Sequence, residues 1–551
     1  MTDFAKRLAR ILADRSNLLF GVPGGGPNLD LVGAANEAGM RFVLAHGETA
    51  AAIMASTYGL LTGGPTGVVV TRGPGATSAA NGAAQATLDR FPLVVITDCV
   101  TAEQTLRISH QRFDQRALFA PITVASVTAS GDLAEGSELA ELVDRAARWP
   151  AGAVHLDYDP GASSAASVPP TVVPAAEPEA GDSALAAALG RAVEALTGAE
   201  RPVVIVGMEA AVIDHRATID GREPPLRSLL EALGCPVLTT YQAVGLVPTE
   251  GPLSAGLYTN GALEQAALDQ ADLIVTIGLD TVEPIPTPWN QTVPVITVSS
   301  VPAIDRFIPA DVALLGDPVA ALGRLLSMAR GRGWDHRWLD GAAASMRGAA
   351  RDRLRPPPSP ERRFGPVDLV DAVRASVDQA GVDPVVTVDA GAHFLAIMPL
   401  WPVPRPFDLL ISNGLATMGF SLPAAVGAAL ARPGRPVVSF VGDGGLAMTM
   451  AELETIARLD LPITVVVFND SALSLIAIKQ GEGHGGPQAI GYQPTDFAAV
   501  AQASGLEGTV AESAGEVRAA LASADGWSRP RLVDARIDPT DYRHLISATR
   551  G

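Results

Sequence analysis

The sequence predicts an α/β protein made of three doubly wound parallel-sheet domains, and three observations carry that prediction. The first is a length of 551 residues, more than one hydrophobic core sustains. The second is the alternation of short, continuous valine- and isoleucine-rich runs with alanine-rich stretches of helical length. Strands of that kind are buried on both faces, which calls for helices on both sides of a parallel sheet. The third is a pair of composition breaks. Residues 168–182 (VPPTVVPAAEPEAGD) have no apolar periodicity, and residues 354–363 (LRPPPSPERR) hold four prolines in ten positions, which no helix or central strand tolerates. The breaks give an N-terminal domain over 1–167, a central domain over 183–350 and a C-terminal domain over 364–551.

The strands follow in order. Val68–Thr71 and Leu93–Thr97 belong to the first block, and Pro202–Val206 and Leu273–Ile277 to the second. Val385–Asp389, Pro436–Val441 and Ile463–Phe468 belong to the third. No solenoid period is evident, and the first and third blocks are expected to share one fold. Sheets of this type bind ligands beyond the carboxyl ends of their strands, so the chemistry is sought in the residues that follow each strand.

Composition narrows the function. Apolar residues make up 48% and charged residues 18%, ample for large cores. The net charge of −19 repels phosphate backbones, so no nucleic-acid partner is expected. The N-terminus lacks a signal-peptide apolar core, and the longest apolar runs have strand length, which predicts no membrane span and a cytoplasmic location. Two cysteines, Cys99 and Cys235, make no disulfide framework and fit a reducing compartment.

The densest chemistry lies in the third block. The strand ending at Val441 runs into Gly442-Asp443-Gly444-Gly445, and the strand ending at Phe468 runs into Asn469-Asp470-Ser471-Ala472. Asp443 and Asp470 are 27 residues apart, one strand–helix–strand unit, so both strand ends can lie side by side. Oxygen ligands there, with diphosphate oxygens and water, complete an octahedral Mg²⁺. The glycines let the backbone approach phosphates at a helix N-terminus. A Gly-Asp-Gly turn alone is usually only a turn; the second strand end one crossover later is what makes it a site.

These motifs resemble those of the thiamine diphosphate enzymes of the acetolactate synthase and pyruvate decarboxylase superfamily. The resemblance implies that thiamine diphosphate and Mg²⁺ are the cofactors, and that Asp443, Asp470 and the carbonyl of Ala472 are the metal ligands. Gly442, Gly444, Gly445 and Asp470 then meet the diphosphate. Asp470 stands where the family usually has a second asparagine, which keeps the oxygen and adds a charge. Leu44-Ala-His-Gly-Glu48, followed by a long helix, is similar to the family's turn that sets a glutamate against the aminopyrimidine, making Glu48 the activating carboxyl. Thr71-Arg-Gly-Pro-Gly-Ala-Thr77 resembles the loop lying against the cofactor through Pro74. Ser412-Asn-Gly-Leu-Ala-Thr-Met-Gly-Phe420 resembles the hinge stretch, with Met418 propping the cofactor and the Ala416 carbonyl accepting from its amino group. Gly391-Ala-His393 resembles a diphosphate-contacting segment and makes His393 a phosphate donor. The same resemblance implies pyrimidine, central and diphosphate domains in that order. It also implies a homodimer or homotetramer whose active sites lie between subunits.

The reaction is less legible. Gly25, in Val22-Pro-Gly-Gly-Gly-Pro-Asn-Leu29, stands where pyruvate decarboxylases carry an acid. The tryptophan that selects the acceptor in acetolactate synthase falls at Lys479 and its oxo-acid- and flavin-binding arginine at Asp280; the family's Arg-Phe-Asp-Asp-Arg flavin signature is absent, so no FAD is expected. Lys479 either faces an anionic substrate group or is solvated. His110-Gln-Arg-Phe-Asp-Gln115 aligns with a pocket segment, which makes Gln111 and His110 catalytic candidates. In the central block Val206-Gly-Met-Glu-Ala210 lacks the dinucleotide fingerprint and is taken as structural. The tail around Asp541-Tyr-Arg-His-Leu-Ile546 is read as solvated. The expected activity is a 2-oxo acid decarboxylase or carboligase. The alternatives are a 2-hydroxyacyl-CoA lyase and a catalytically silent regulatory member, the latter opposed by the presence of Glu48 and both aspartates.

Overall fold

The computed structural model describes residues 3–100, 104–129, 137–158, 182–302, 308–329, 334–335, 338, 341–480, 489–522 and 527–551. Of the expected linker over 168–182, only Asp182 lies within them.

Three six-stranded sheets, parallel throughout, form the frame. The first contains β1 (Leu18–Val22), β2 (Arg41–Leu44), β3 (Thr66–Val70), β4 (Leu93–Asp98), β5 (Ala125–Ala129) and β6 (Ala153–Tyr158) in the order β2-β1-β3-β4-β6-β5. The second contains β7 (Pro202–Val206), β8 (Val237–Thr239), β9 (Ser254–Leu257), β10 (Leu273–Ile277), β11 (Val295–Ser299) and β12 (Val312–Leu315), ordered β12-β11-β10-β7-β8-β9. The third contains β13 (Val385–Val388), β14 (Leu409–Ile411), β15 (Val437–Gly442), β16 (Ile463–Asn469), β17 (Glu507–Ala511) and β18 (Arg531–Arg536), ordered β14-β13-β15-β16-β18-β17. Counted from its own first strand, the third sheet repeats the connectivity of the first, as the sequence led one to expect. The central sheet has a different order. Every residue of β3, β7, β10 and β13 is buried, which is why their apolar runs do not alternate.

The first and third domains meet through small residues. The Glu48–Thr62 helix is buried from Ala50 to Leu61 and packs on the Ser421–Ala431 helix. Gly427 makes this possible, because a Cβ there would lie 2.5 Å from the Met54 carbonyl oxygen. This contact fixes the direction of the helix that begins at Glu48. Two acidic residues add polar ties. Asp89 of the first domain accepts from the Gly414 amide at 2.5 Å. Asp280 of the central domain takes both Nε and Nη2 of Arg90, at 2.7 and 3.2 Å. No helix among the described residues is long and apolar enough to cross a membrane.

Candidate active site

The third sheet reverses its winding between β13 and β15, and a crevice opens beyond their carboxyl ends, as doubly wound sheets require. β13 leads to Asp389, Gly391 and His393, and β15 leads to Gly442 and Asp443. The β15–β16 register pairs Gly442 with Phe468, which brings Asp443 and the Asn469-Asp470 turn to the same level. A cavity of about 630 Å³ lies here, lined by His393, Ala416, Met418, Gly442, Asp443, Gly444, Gly445, Asp470 and Ala472 among others. Thr281 to Pro286 of the central domain form its opposite side.

The crevice brings buried carboxylates and a glycine-rich turn together. Asp443 Oδ1 accepts from the Gly444 amide at 2.6 Å, while its Oδ2 is buried without a hydrogen-bond partner. Asp470 accepts from the Ala472 amide at 3.1 Å and from Ser474 Oγ at 2.5 Å. Burial, with the charge of Asp443 adding to it, pushes the Asp470 carboxyl up to about 7, and burial also raises Asp443. A divalent cation removes that penalty. Ser471 is held at φ 58, a left-handed conformation that costs about 1–2 kcal/mol for an L-residue. It sits between Asp470 and Ala472, where it sets the direction of the chain into Ala472. Among the described residues no three His, Cys, Asp or Glu side chains cluster as a self-sufficient metal site. A cation held by this pair alone would lack ligands, and the orphaned Asp443 Oδ2 is the oxygen left free to meet one.

Several neighbours complete the crevice. His393 is buried and stacks on Phe468 at 5.3 Å, with its Nε2 unpartnered. Burial pushes its pKa down to about 3, so the ring is neutral until an anion approaches. Ala416 lines the cavity at φ 54, and a Cβ on Gly444 would lie 3.4 Å from the Met418 methyl carbon. Asn469 turns away, donating to Asp534 at 2.8 Å and to the Thr495 carbonyl at 3.1 Å.

In the first domain the turn that carries Pro74 lies between Glu48 and Gln111, with His110 next to Gln111 in the chain. A Cβ on Gly75 would lie 3.4 Å from Glu48 Oε1, and one on Gly73 would lie 2.7 Å from the Gln111 Cβ. Glu48 starts its helix and is half-buried, while Pro74 starts the next helix, Pro74–Leu88. Buried Gln115 steadies the loop by accepting from the Gly73 amide at 2.9 Å. His110 and Gln111 are exposed, the latter at φ 55. No first-domain residue among those described lines the 630 Å³ cavity of the same chain.

The structure corrects one expectation and adds residues that sequence reasoning missed. The C-terminal tail is not solvated. Residues Asp541–Arg550 form a helix that buries Tyr542, Leu545, Ala548 and Thr549, and Tyr542 and Arg550 line the cavity. The tail was misread because Asp541, Arg543 and His544 mask a helical apolar stripe. Arg543 is exposed, and His544 bonds the Arg353 carbonyl at 2.9 Å. Asp389 was overlooked as a site residue. Its buried carboxylate accepts from the Gly419 and Phe420 amides, each at 3.0 Å, and so holds the Met418 turn. The central helix Met208–Ile219 begins against the Glu283 carboxylate, which accepts from the Met208 amide at 3.0 Å. Its N-terminus is thereby occupied from within the domain.

Comparison with known proteins agrees with this geometry. Residues 2–118 match the thiamine pyrophosphate enzyme N-terminal TPP binding domain, 189–325 its central domain and 389–535 its C-terminal TPP binding domain. The chain belongs to the thiamine pyrophosphate enzyme family. Within that family it is an acetolactate-synthase-like enzyme that carries out carboligation or decarboxylation. It is 30% identical to the acetolactate synthase of Bacillus subtilis (strain 168) over 548 residues, covering 96% of this chain and 92% of that one. The catabolic acetolactate synthase of Raoultella terrigena is 30% identical over 546 residues, with 95% and 92% covered. A probable 2-ketoarginine decarboxylase of Pseudomonas aeruginosa is 29% identical over 554 residues, with 96% and 93% covered.

Proposed function

We propose that the protein is a thiamine diphosphate- and Mg²⁺-dependent 2-oxo acid decarboxylase or carboligase that works in the cytoplasm as a homodimer or homotetramer. The observation that carries this reading is the Asp443–Asp470 pair at the switch point of the third sheet, one oxygen of which is buried and unpartnered. Asp443, Asp470 and the Ala472 carbonyl would hold Mg²⁺, and the Gly442–Gly445 turn with His393 would hold the diphosphate. Met418 and the Ala416 carbonyl would orient the rings. When bound, thiamine diphosphate supplies the electron sink that lets a carboxylate leave as CO₂. The protein's part is to position the cofactor, to keep water out and to hold a proton at Glu48 against the pyrimidine ring.

Glu48 does not reach the cavity of its own chain, so the working site takes the first domain of a second copy. Exposed apolar side chains on both halves support that docking: Leu29, Leu44, Leu106 and Phe113 on the first domain, Met448, Met450, Ile476 and Tyr492 around the cavity domain. Gln111 and His110 would then enter the substrate pocket from the partner side. Lys479 and Arg550 on the cavity wall disfavour a substrate with a cationic end of the kind the Pseudomonas relative's name implies. The test is a coupled assay with thiamine diphosphate, Mg²⁺ and a panel of 2-oxo acids, following CO₂, aldehyde and acyloin. Turnover that depends on both cofactors and disappears in Glu48→Gln is expected. CoA-ester cleavage without CO₂ release would contradict the proposal.

A further inference from the structure

Among the described residues the cavity wall carries three carboxylates, one histidine and two other cationic side chains. The carboxylates are accounted for. Glu283 accepts from the Met208 and Asp280 amides and from Thr240 Oγ1, at 3.0, 3.0 and 2.5 Å, and Asp443 and Asp470 form the candidate metal pair. The cations are not. Lys479 ends the Ser474–Gln480 helix, and Arg550 ends the Asp541–Arg550 helix. Both are exposed, and neither side chain makes an ion pair or hydrogen bond with any described residue. The two helices pack on each other, so both charges belong to one wall. Arg550 also borders an adjoining cavity of about 160 Å³ with Asn260, Gln265, Trp289 and Asn290.

Composition sharpens the point. Of 40 basic residues only Lys6 and Lys479 are lysines; every other positive charge is arginine. A flexible ammonium and a guanidinium lining the same cavity, both exposed and unpaired among the described residues of a chain of net charge −19, are free to draw an anion. The diphosphate already has its own partners at the Gly442–Gly445 turn, His393 and the metal pair. The reacting carboxylate of a 2-oxo acid is a poor occupant as well. It must leave as CO₂, and a strong ion pair there would stabilise the ground state more than the transition state.

We propose that Lys479 and Arg550 hold a second anionic group of the substrate, so that the donor is a 2-oxo acid carrying a carboxylate or similar anion beyond its reacting carbonyl. This rests on the function proposed above and names its substrate class. The test compares 2-oxoglutarate with 2-oxohexanoate, and 2-oxoadipate with 2-oxoheptanoate, on the full-length enzyme with thiamine diphosphate and Mg²⁺. For at least one pair, kcat/KM for the dianion is expected to exceed that for its monoanionic partner by about tenfold or more. That ratio should fall toward one in Lys479→Met and Arg550→Met and persist in Lys6→Met. A ratio of one or less in both pairs overturns the proposal, as does a ratio that neither variant lowers. Loss of thiamine diphosphate affinity in the variants at constant ratio also overturns it, because the cations would then serve the diphosphate. If no oxo acid turns over, the function above fails by itself. Calorimetric binding of the same compounds to the Glu48→Gln protein loaded with both cofactors then reads the anion preference directly, and equal affinities overturn it.

Discussion

Glu452 of the third domain grips the turn that presents Glu48 in the first. Its Oε1 accepts from the His46 amide at 2.9 Å and from the Gly47 amide at 3.1 Å, while Oε2 takes Thr455 Oγ1 at 2.7 Å. Glu452 itself is 2% exposed, whereas the two amides it holds are only part-buried. His46 Nε2 meets Glu454 at 2.8 Å, and Arg458 donates to the Leu44 carbonyl at 2.7 Å. The short Glu452–Arg458 helix thus clamps residues 44–47 along its length, just beyond the helix that Asp443 begins.

Removing that grip is expected to harm catalysis more than folding. Glu452→Ala removes the acceptor shared by two part-buried amides, which costs about 1 kcal/mol. The looser Glu48 turn lowers kcat about 10- to 100-fold. Glu452→Gln keeps an acceptor oxygen and should restore most of the rate. Steady-state kinetics and thermal melts on both variants check this; an unchanged kcat in Glu452→Ala would refute the positioning role.

The two metal-site aspartates should differ. Asp443→Ala removes the buried, unpartnered oxygen and is expected to abolish Mg²⁺-dependent turnover. Asp470→Asn keeps an oxygen and removes a charge, so activity survives with a Mg²⁺ requirement raised about tenfold. Magnesium titrations after chelator treatment distinguish the two.

Gly445 has no room for a side chain. A Cβ there would lie 2.0 Å from Asp389 Oδ2. Gly445→Ala must displace the carboxylate that holds Gly419 and Phe420, at a cost of about 2–3 kcal/mol. A lower melting temperature and weaker thiamine diphosphate binding are expected together.

Stability should fall as pH rises through neutrality, in part through Glu283. Burial pushes its carboxyl up to about 8, so between the unfolded value of about 4.3 and about 8 the folded state binds the extra proton. Its contribution is fully present below the unfolded value and is lost as pH rises through the folded one. Glu283→Gln, which cannot titrate, should show a smaller drop in melting temperature between pH 5.5 and 8.5 than the parent protein. An equal drop would place the linkage elsewhere.

The sequence made legible what depends on local pattern. The buried strands announced themselves as β-branched runs, and the residues after Val441 and Phe468 pointed to Asp443 and Asp470 because one crossover necessarily brings neighbouring strand ends together. What it hid depends on distant contact. Glu452 lies 405 residues from Gly47, and nothing in a short glutamate-bearing helix says which amides it will meet. Arg550 and Tyr542 were obscured by charged neighbours on the other face of their helix. Asp389 looked like the end of a strand, since its role depends on Gly419 and Phe420 folding back over it. Lys479 was noticed, but that it faces a cavity without a partner is a fact of packing.

The central claim is that Glu48 of one copy completes the cavity of another, and mixing two inactive variants tests it most directly. Glu48→Gln and Asp443→Ala chains are each expected to be inactive alone. Co-expressed, or mixed under conditions shown to exchange chains, they form heterodimers in which one site carries both lesions and the other carries neither. The account predicts recovery of about a quarter of the parent activity at equal mixing of dimers. Exchange without any recovery would contradict it and would return Glu48 to its own chain's cavity.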